Sequence, residues 1–572
     1  MKRRGVLALL LLPACGGWGV ESAQTRASGQ SNFRVRVDFT APLNADLGWA
    51  GALNEDVTIR ADQPFRIRFE VEAPAGAPAG REFRLQFRRN AGAWTDIEAH
   101  DFPKPDSEDA KTPRVSIVSC AAYKQGAATT NLLAGSASAF RAGSGVSLAQ
   151  RAPRWTAAGS HGEFEWPLVV RRYADEAVTN EEGDTFELRM VDAAGAAAGA
   201  GRNPVLRLTI PPGHLGGTFV ETPGRIGPWR ASNGDLYFIM EPAETSNLFM
   251  MVKSTDNGRT WREVDAAHRP PTRDLEAVDA RQVGDTIHIL HEVSRSARYH
   301  SFRTSDHPTR PDTWAVRGEL VANVEPVAQA AALEVRSDGS LVAFYVGPTK
   351  IHYSVRSPAG AWSADRVIDA HVAPNLAGPQ AVRGANDIVH LAYYGTDGTL
   401  WHRRLPADGT PTPRQPLASG AGASRAEYGS VLPLLYAPET NTVIVLYRLS
   451  SGTLWERRIV NDGPPTPAVR VTDRAVITDA VDSQQPGADA VLDGRTVHVL
   501  FIEQKSRSIY STHDSGGWQP STLQVDGIRG SWIRGNVYAR ADGVKVYGYV
   551  YDAGSEGGAG MNRFAEVVLS GR

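Results

Sequence analysis

At 572 residues the chain has room for roughly two to four domains, or fewer if one is a large β unit. Its 61 Lys+Arg against 63 Asp+Glu leave a net charge of −2, so no broad basic field exists to condense on nucleic acid or an acidic membrane. Hydrophobic residues at 42% and charged residues at 22% exclude disorder, collagen and coiled coil, and 56 Gly with 36 Pro indicate many tight turns. Two cysteines cannot build a disulfide framework, and Cys120 is expected to be a buried, inert thiol.

The opening Met1-Lys2-Arg3-Arg4 and the apolar run Gly5 to Leu12 form a charged n-region and an h-region too short for a permanent membrane span. An export signal is expected over residues 1–15. Leu12-Pro13-Ala14-Cys15 resembles the lipobox of bacterial lipoproteins, and that resemblance implies cleavage before Cys15 and lipidation of its thiol. Gly16, where an aspartate would retain the protein at the inner membrane, implies sorting to the outer membrane. No later stretch approaches the ~20 apolar residues of a spanning helix, so membrane contact is expected only through the lipid anchor.

After a Ser/Gly/Gln-rich spacer, 16–32, strict alternation begins at Phe33, Val35, Val37 and Phe39. The period of two returns at Phe65 to Val71, Phe83 to Phe87, Phe186 to Met190 and Val205 to Leu208, which predicts strands with one wet face. Residues 33–212 therefore read as a β-sandwich, immunoglobulin-like, with a long insertion around Ala121 to Ala157 and a Gly/Ala loop at Ala193 to Gly201. Pro211-Pro212-Gly213 and Gly216-Gly217 mark the boundary, because neither ladder nor helix tolerates that composition.

Beyond it, over 213–572, a turn signal followed by an apolar strand recurs at Gly234, Gly284, Gly339, Asn386, Asn441, Gly494 and Gly543. Each unit then shows an aromatic third strand, as at Tyr299, Tyr353, Trp401, Trp455 and Tyr510, and several close on Trp261, Trp314, Trp362 or Trp518. A period of roughly 50 residues with three or four short strands predicts blades of a β-propeller, seven by this count and six as the alternative. The last unit offers three strands, and Thr218 to Glu221 is expected to supply the fourth and close the ring.

Ser254-Thr255-Asp256-Asn257-Gly258-Arg259-Thr260-Trp261 is a full match to S-x-D-x-G-x-T-W and resembles the Asp-box, or BNR repeat, of sialidases and their propeller relatives. In this staple Asp256 accepts from turn N–H groups, Gly258 supplies backbone freedom and Trp261 packs between sheets. The resemblance implies three arginines on a substrate carboxylate, a tyrosine nucleophile activated by a glutamate, and an aspartate as acid/base. Arg225 in Gly224-Arg225-Ile226-Gly227-Pro228 lies where the first arginine of that family stands, with Gly227 replacing the expected proline. Carried over in the same way, Tyr538 with Arg534 opens the last repeat, Glu427 and Tyr428 with Arg425 open the fifth, and Asp279, with Asp274 and Glu276, opens the second. A guanidinium fork suits a carboxylate, and strand starts rim one mouth of a propeller.

Sialidase propellers have six blades, so a count of seven also admits a polysaccharide lyase, with His291, His300 or His402 as base beside arginines, or a non-catalytic glycan- or protein-binding module. His288-Ile289-Leu290-His291-Glu292 suggests a zinc motif, but on a strand a separation of three turns the rings to opposite faces. No cofactor, metal or nucleic-acid partner is expected. The sequence reading is an exported, outer-membrane-tethered, all-β protein that recognises, and by the sialidase resemblance cleaves, an acidic glycan.

Overall fold

A computed structural model describes residues 29–569 apart from 78–79, 101–112, 157, 173–179, 199–200, 217–223, 242–249, 265–267, 272–277, 294, 307–310, 325–330, 348, 374–378, 420–430, 479–486, 529, 531 and 554–561. The signal and Cys15 lie outside the described residues. The protein is all-β, 51% strand and 2% helix.

Two N-terminal sheets face one another across a single apolar core that includes Phe33, Ile67, Phe164, Trp166, Leu188 and Leu206. One runs in the order Gly29–Arg36, Phe65–Ala73, Ser160–Val170, Val115–Ile117, Glu98–Ala99; the other in the order Val57–Arg60, Val205–Thr209, Thr185–Asp192, Phe83–Arg89, Thr95–Asp96. The first strand ends at Arg36 rather than Phe39 because the Asp38 carboxylate accepts from the N–H groups of Thr40 and Ala41 and turns the chain.

The expectation of a wet outer face fails on the first sheet. Arg36, Arg66, Arg68, Glu70, Glu163 and Glu165 point away from the core yet are fully buried. Segments 37–48 and 118–148 cover that face: Arg66 donates to Ala41 O, and Arg68 to Leu43 O and Thr130 O. Glu165 meets Arg66 and Arg68 at 3.2 Å and Arg36 at 3.5 Å. Burial pushes the pKa of Glu165 up while the three guanidinium groups oppose it. Alternating polar residues thus mark a second buried layer, which alternation alone cannot separate from solvent. Cys120 is buried, as expected, and desolvation raises its thiol pKa.

The remaining strands form seven small sheets in chain order, six with four strands and the last with three. They are numbered here by their first strands: Trp229–Arg230, Val278–Val283, Ala331–Val335, Gln380–Arg383, Leu435–Ala437, Ala488–Asp493 and Ile533–Ala539. From the second sheet to the seventh each first strand adjoins the next, and the seventh adjoins the first. The Ala280 N–H donates to Arg225 O at 2.9 Å and joins the first sheet to the second. Apolar cores lie between neighbouring sheets, as where Tyr299 of the second meets Leu333 and Ala343 of the third.

Every landmark of the repeat falls in the hairpin between a first and a second strand, and each has a positive φ, for example 84° at Gly339 and 42° at Asn441. The expected closing segment, Thr218 to Glu221, lies outside the described residues. Gly213 to Leu215 makes the pairing: His214 bridges Arg563, Leu215 N donates to Asn562 O and Phe564 N donates to Gly213 O, the last two at 2.8 Å. The same segment holds the sandwich, through His214 Nε2 on Asp62 Oδ2 at 2.9 Å, while Arg172 donates to Trp261 O.

Candidate functional site

The first strands that line the middle of the ring should be apolar if they only packed, but they read Val-Asp-Ala-Arg-Gln-Val, Ala-Ala-Leu-Glu-Val and Ala-Asp-Ala-Val-Leu-Asp. Their charged residues converge. The Arg225 N–H donates to Asp279 Oδ1 at 2.8 Å, and Leu333 N–H to Asp279 Oδ2 at 2.8 Å. Asp489 repeats the device, accepting from Gly535 N–H at 2.8 Å and from the Tyr547 hydroxyl at 2.7 Å. Each aspartate is the second residue of its strand, and each fastens the third residue of the next first strand.

Arg281 sits between Asp279 and Glu334, at 2.8 Å from each, and this doubled ion pair raises its already high pKa against the effect of burial. Arg225 is different. Its guanidinium crosses the middle of the ring to donate to Leu434 O and, at 3.5 Å, to Ala381 O. Glu334, its only carboxylate within ion-pair reach among the described residues, is 3.9 Å away and is better matched to Arg281. Burial and the neighbouring Arg281 push the Arg225 pKa down to about 10, while its side chain keeps 27% of its exposure. On the far side Arg534 is buried near Asp489, and desolvation brings it to about 10 as well.

The centre therefore gathers three of the sequence-selected residues, Arg225, Asp279 and Arg534, together with Arg281, Glu334, Asp489 and Tyr547, which the sequence reading passed over. Their signal was present as charges interrupting otherwise apolar first strands. Tyr538 is elsewhere: four residues along the strand from Arg534, or roughly 13 Å at the usual rise, its hydroxyl donates to Glu566 at 2.8 Å. Glu566 also holds Arg540, and the Arg230 guanidinium lies 5.9 Å from the Tyr538 ring while bonding Asn257. Tyr538 is thus beside the S-x-D-x-G-x-T-W turn, not in the central cluster. Glu427 and Tyr428, with Arg425, Asp274 and Glu276, lie outside the described residues.

The turn itself has the expected chemistry. Asp256 accepts from Thr260 N–H at 2.8 Å and from its hydroxyl at 2.6 Å, Ser254 Oγ accepts from Gly258 N–H, and the Trp261 indole N–H donates to Gly258 O. Trp261 packs edge-on to Phe564 of the seventh sheet.

The histidines proposed as lyase bases face a cleft of about 400 Å³ lined by Pro270, Pro271 and Arg298. Gly318 N–H donates to His300 Nδ1, His300 Nε2 faces His291 Nδ1 at 3.1 Å, and His291 Nε2 faces Pro271 O at 3.2 Å. The fixed donor at one end and the fixed acceptor at the other make both rings neutral with hydrogen on Nε2, and all four nitrogens are engaged. Burial lowers His291 to about 4 and holds His300 well below the ordinary histidine value. His402 stacks on His390 instead, in the fourth sheet. His288 turns away from His291 and bonds the Tyr299 hydroxyl at 2.7 Å, so the two rings do take opposite faces.

No family model matches the chain, and no curated protein does. Among solved structures it is similar to the BP39L lectin from Burkholderia pseudomallei, at 12% identity over 61% of this chain and 97% of that one, with a TM-score of 0.42. It is similar also to the Aleuria aurantia lectin in complex with Fucα1-6GlcNAc, at 14% identity over 54% and 97% of the two chains, TM-score 0.37. A third is a PL25 ulvan lyase, at 9% identity over 62% and 96%, TM-score 0.36. Identities this low leave the chemistry of this chain to its own residues.

Proposed function

We propose that the chain is an exported glycan-binding protein: an immunoglobulin-like sandwich followed by a seven-bladed β-propeller, held at the outer membrane by a lipid on Cys15, that binds an acidic glycan at the middle of the ring. The signal-like start and Leu12-Pro13-Ala14-Cys15 support the address. The seven successive sheets, with adjoining first strands and a pairing of start to end, support the propeller.

One observation carries the ligand class. Arg225 is a partly exposed cation held in place by main-chain carbonyls, with its nearest carboxylate committed to another arginine. A guanidinium so placed retains positive charge and can accept a sugar carboxylate or sulfate in a bidentate grip. Binding is favoured over sialidase-type cleavage at Tyr538 because that tyrosine with its glutamate lies away from Arg225 and Arg534. It is favoured over lyase chemistry at His291 and His300 because neither ring has an unengaged nitrogen to take a proton.

The test is a glycan array on the purified protein, followed by mass analysis of the bound sugars. Uronate-, sialate- or sulfate-bearing glycans should be retained unchanged and released by salt, and Arg225→Lys should weaken them about tenfold. Released sialic acid would establish the hydrolase instead, an unsaturated product the lyase, and retention of neutral glycans alone would defeat the acidic assignment.

A further inference from the structure

A basic cleft lies on the flank of the ring, between the fifth and sixth sheets, with a volume of about 490 Å³. On one side Arg470 and Arg474 are both exposed, and neither forms an ion pair among the described residues. Both are nevertheless held. Arg470 uses Nε and Nη2 on the carbonyls of Thr472 and Asp473, each at 2.9 Å, which shapes the segment that carries Arg474. The Arg474 guanidinium lies 4.1 Å from the ring centre of Tyr510 in the next sheet. The opposite wall is Trp518, half-buried, whose indole N–H is pinned to Glu456 Oε2 at 2.8 Å. At the floor Thr472 and Ser521 share a hydroxyl–hydroxyl hydrogen bond of 3.1 Å. The one acidic side chain in the lining is the exposed Asp473.

We infer that this cleft is a binding subsite for an anionic sugar ring, its carboxylate or sulfate on Arg474 and Arg470, its apolar face on Trp518, and its hydroxyls on Thr472 and Ser521. The chemistry follows from each wall. Guanidinium groups match planar or tetrahedral oxyanions, an indole fixed through its edge offers its flat face to apolar surface, and a few hundred Å³ with convergent polar groups is the size of a small-ligand site. Holding both arginines before binding lowers the ordering cost that exposed side chains otherwise impose. The subsite deepens the glycan-binding reading and rests on it. A chain engaged at the flank and at the middle of the ring would gain from both contacts at once.

Titration calorimetry on the intact protein tests it, with three hexasaccharide probes: chondroitin 4-sulfate, hyaluronan, which carries carboxylates only, and neutral maltohexaose. Arg474→Ala, an exposed substitution expected to leave Tm unchanged, should weaken chondroitin sulfate at least tenfold, and Trp518→Phe should weaken it less. Equal loss for hyaluronan assigns the contact to the carboxylate; loss confined to chondroitin sulfate assigns it to the sulfate. If Arg474→Ala binds both acidic probes like the parent while Arg225→Lys does not, the flank subsite is wrong and the central reading stands. If the parent binds no probe, or binds only maltohexaose, both are wrong.

Discussion

Arg225 illustrates how one side chain can serve two ends. Its guanidinium ties the entry of the first sheet to carbonyls of the fourth and fifth, so truncation leaves Ala381 O and Leu434 O without that donor. Ala381 O still accepts from Arg281, so Arg225→Ala is expected to destabilise the protein by about 1–3 kcal/mol, the usual cost of losing the donor to a buried acceptor, and calorimetry that finds Tm unchanged would contradict the bracing role. The histidines make a second prediction. Burial holds His288, His291, His390 and His498 near 4 and His402 near 3, against an ordinary 6.5. Between those values the unfolded chain takes up protons that the folded one refuses, so stability rises with pH across the window and falls on acidification. Tm should be level above about pH 7 and drop steeply from pH 6.5 toward 4; a flat profile there would show that the rings titrate normally. Of the central residues, Arg225, Asp279 and Arg534 were legible because a motif or a strand start drew attention to them. Glu334, Arg281 and Asp489 were not, because their meaning is a meeting of different sheets, which spacing within one strand does not reveal.

At the scale of elements, the hairpin landmarks were the most legible feature. A turn with left-handed backbone needs Gly or Asn, and seven such turns at a near-constant interval need no tertiary information to be seen. The wet face of the first sandwich sheet was misread for the converse reason: a charged residue beneath a covering loop has the same local pattern as one in water. The S-x-D-x-G-x-T-W turn lies between these cases. Its internal hydrogen bonds were foreseeable, whereas its partner was not: a Cβ on Gly258, at φ 81°, would stand 2.1 Å from the Phe564 ring of the seventh sheet. Gly258→Ala should therefore cost about 2 kcal/mol or more, through strain and displacement together, and denaturant melts that match the parent would refute it.

For the whole molecule, the decisive contact is the short pairing of Gly213 to Leu215 with Asn562 to Phe564, which joins the two ends of the ring and carries the sandwich on the same three residues. Ending the chain after residue 561 removes the third strand of the seventh sheet, together with Phe564 from the packing around Trp261. Such a chain should elute from size exclusion as aggregate rather than monomer, since unpaired strand edges template association; a monodisperse, cooperatively melting product would show that the pairing is dispensable.

That pairing also sets a timetable. Its first half leaves the ribosome roughly 350 residues before its second, an interval of about 20–70 s at ordinary rates of synthesis. Until then the nascent ring can only be an open arc, and joining ends so distant along the chain carries a loop-closure entropy that local hairpins escape. Closure is thus the late event of biogenesis, and the hazard of misassembly is concentrated in the final strand to be made.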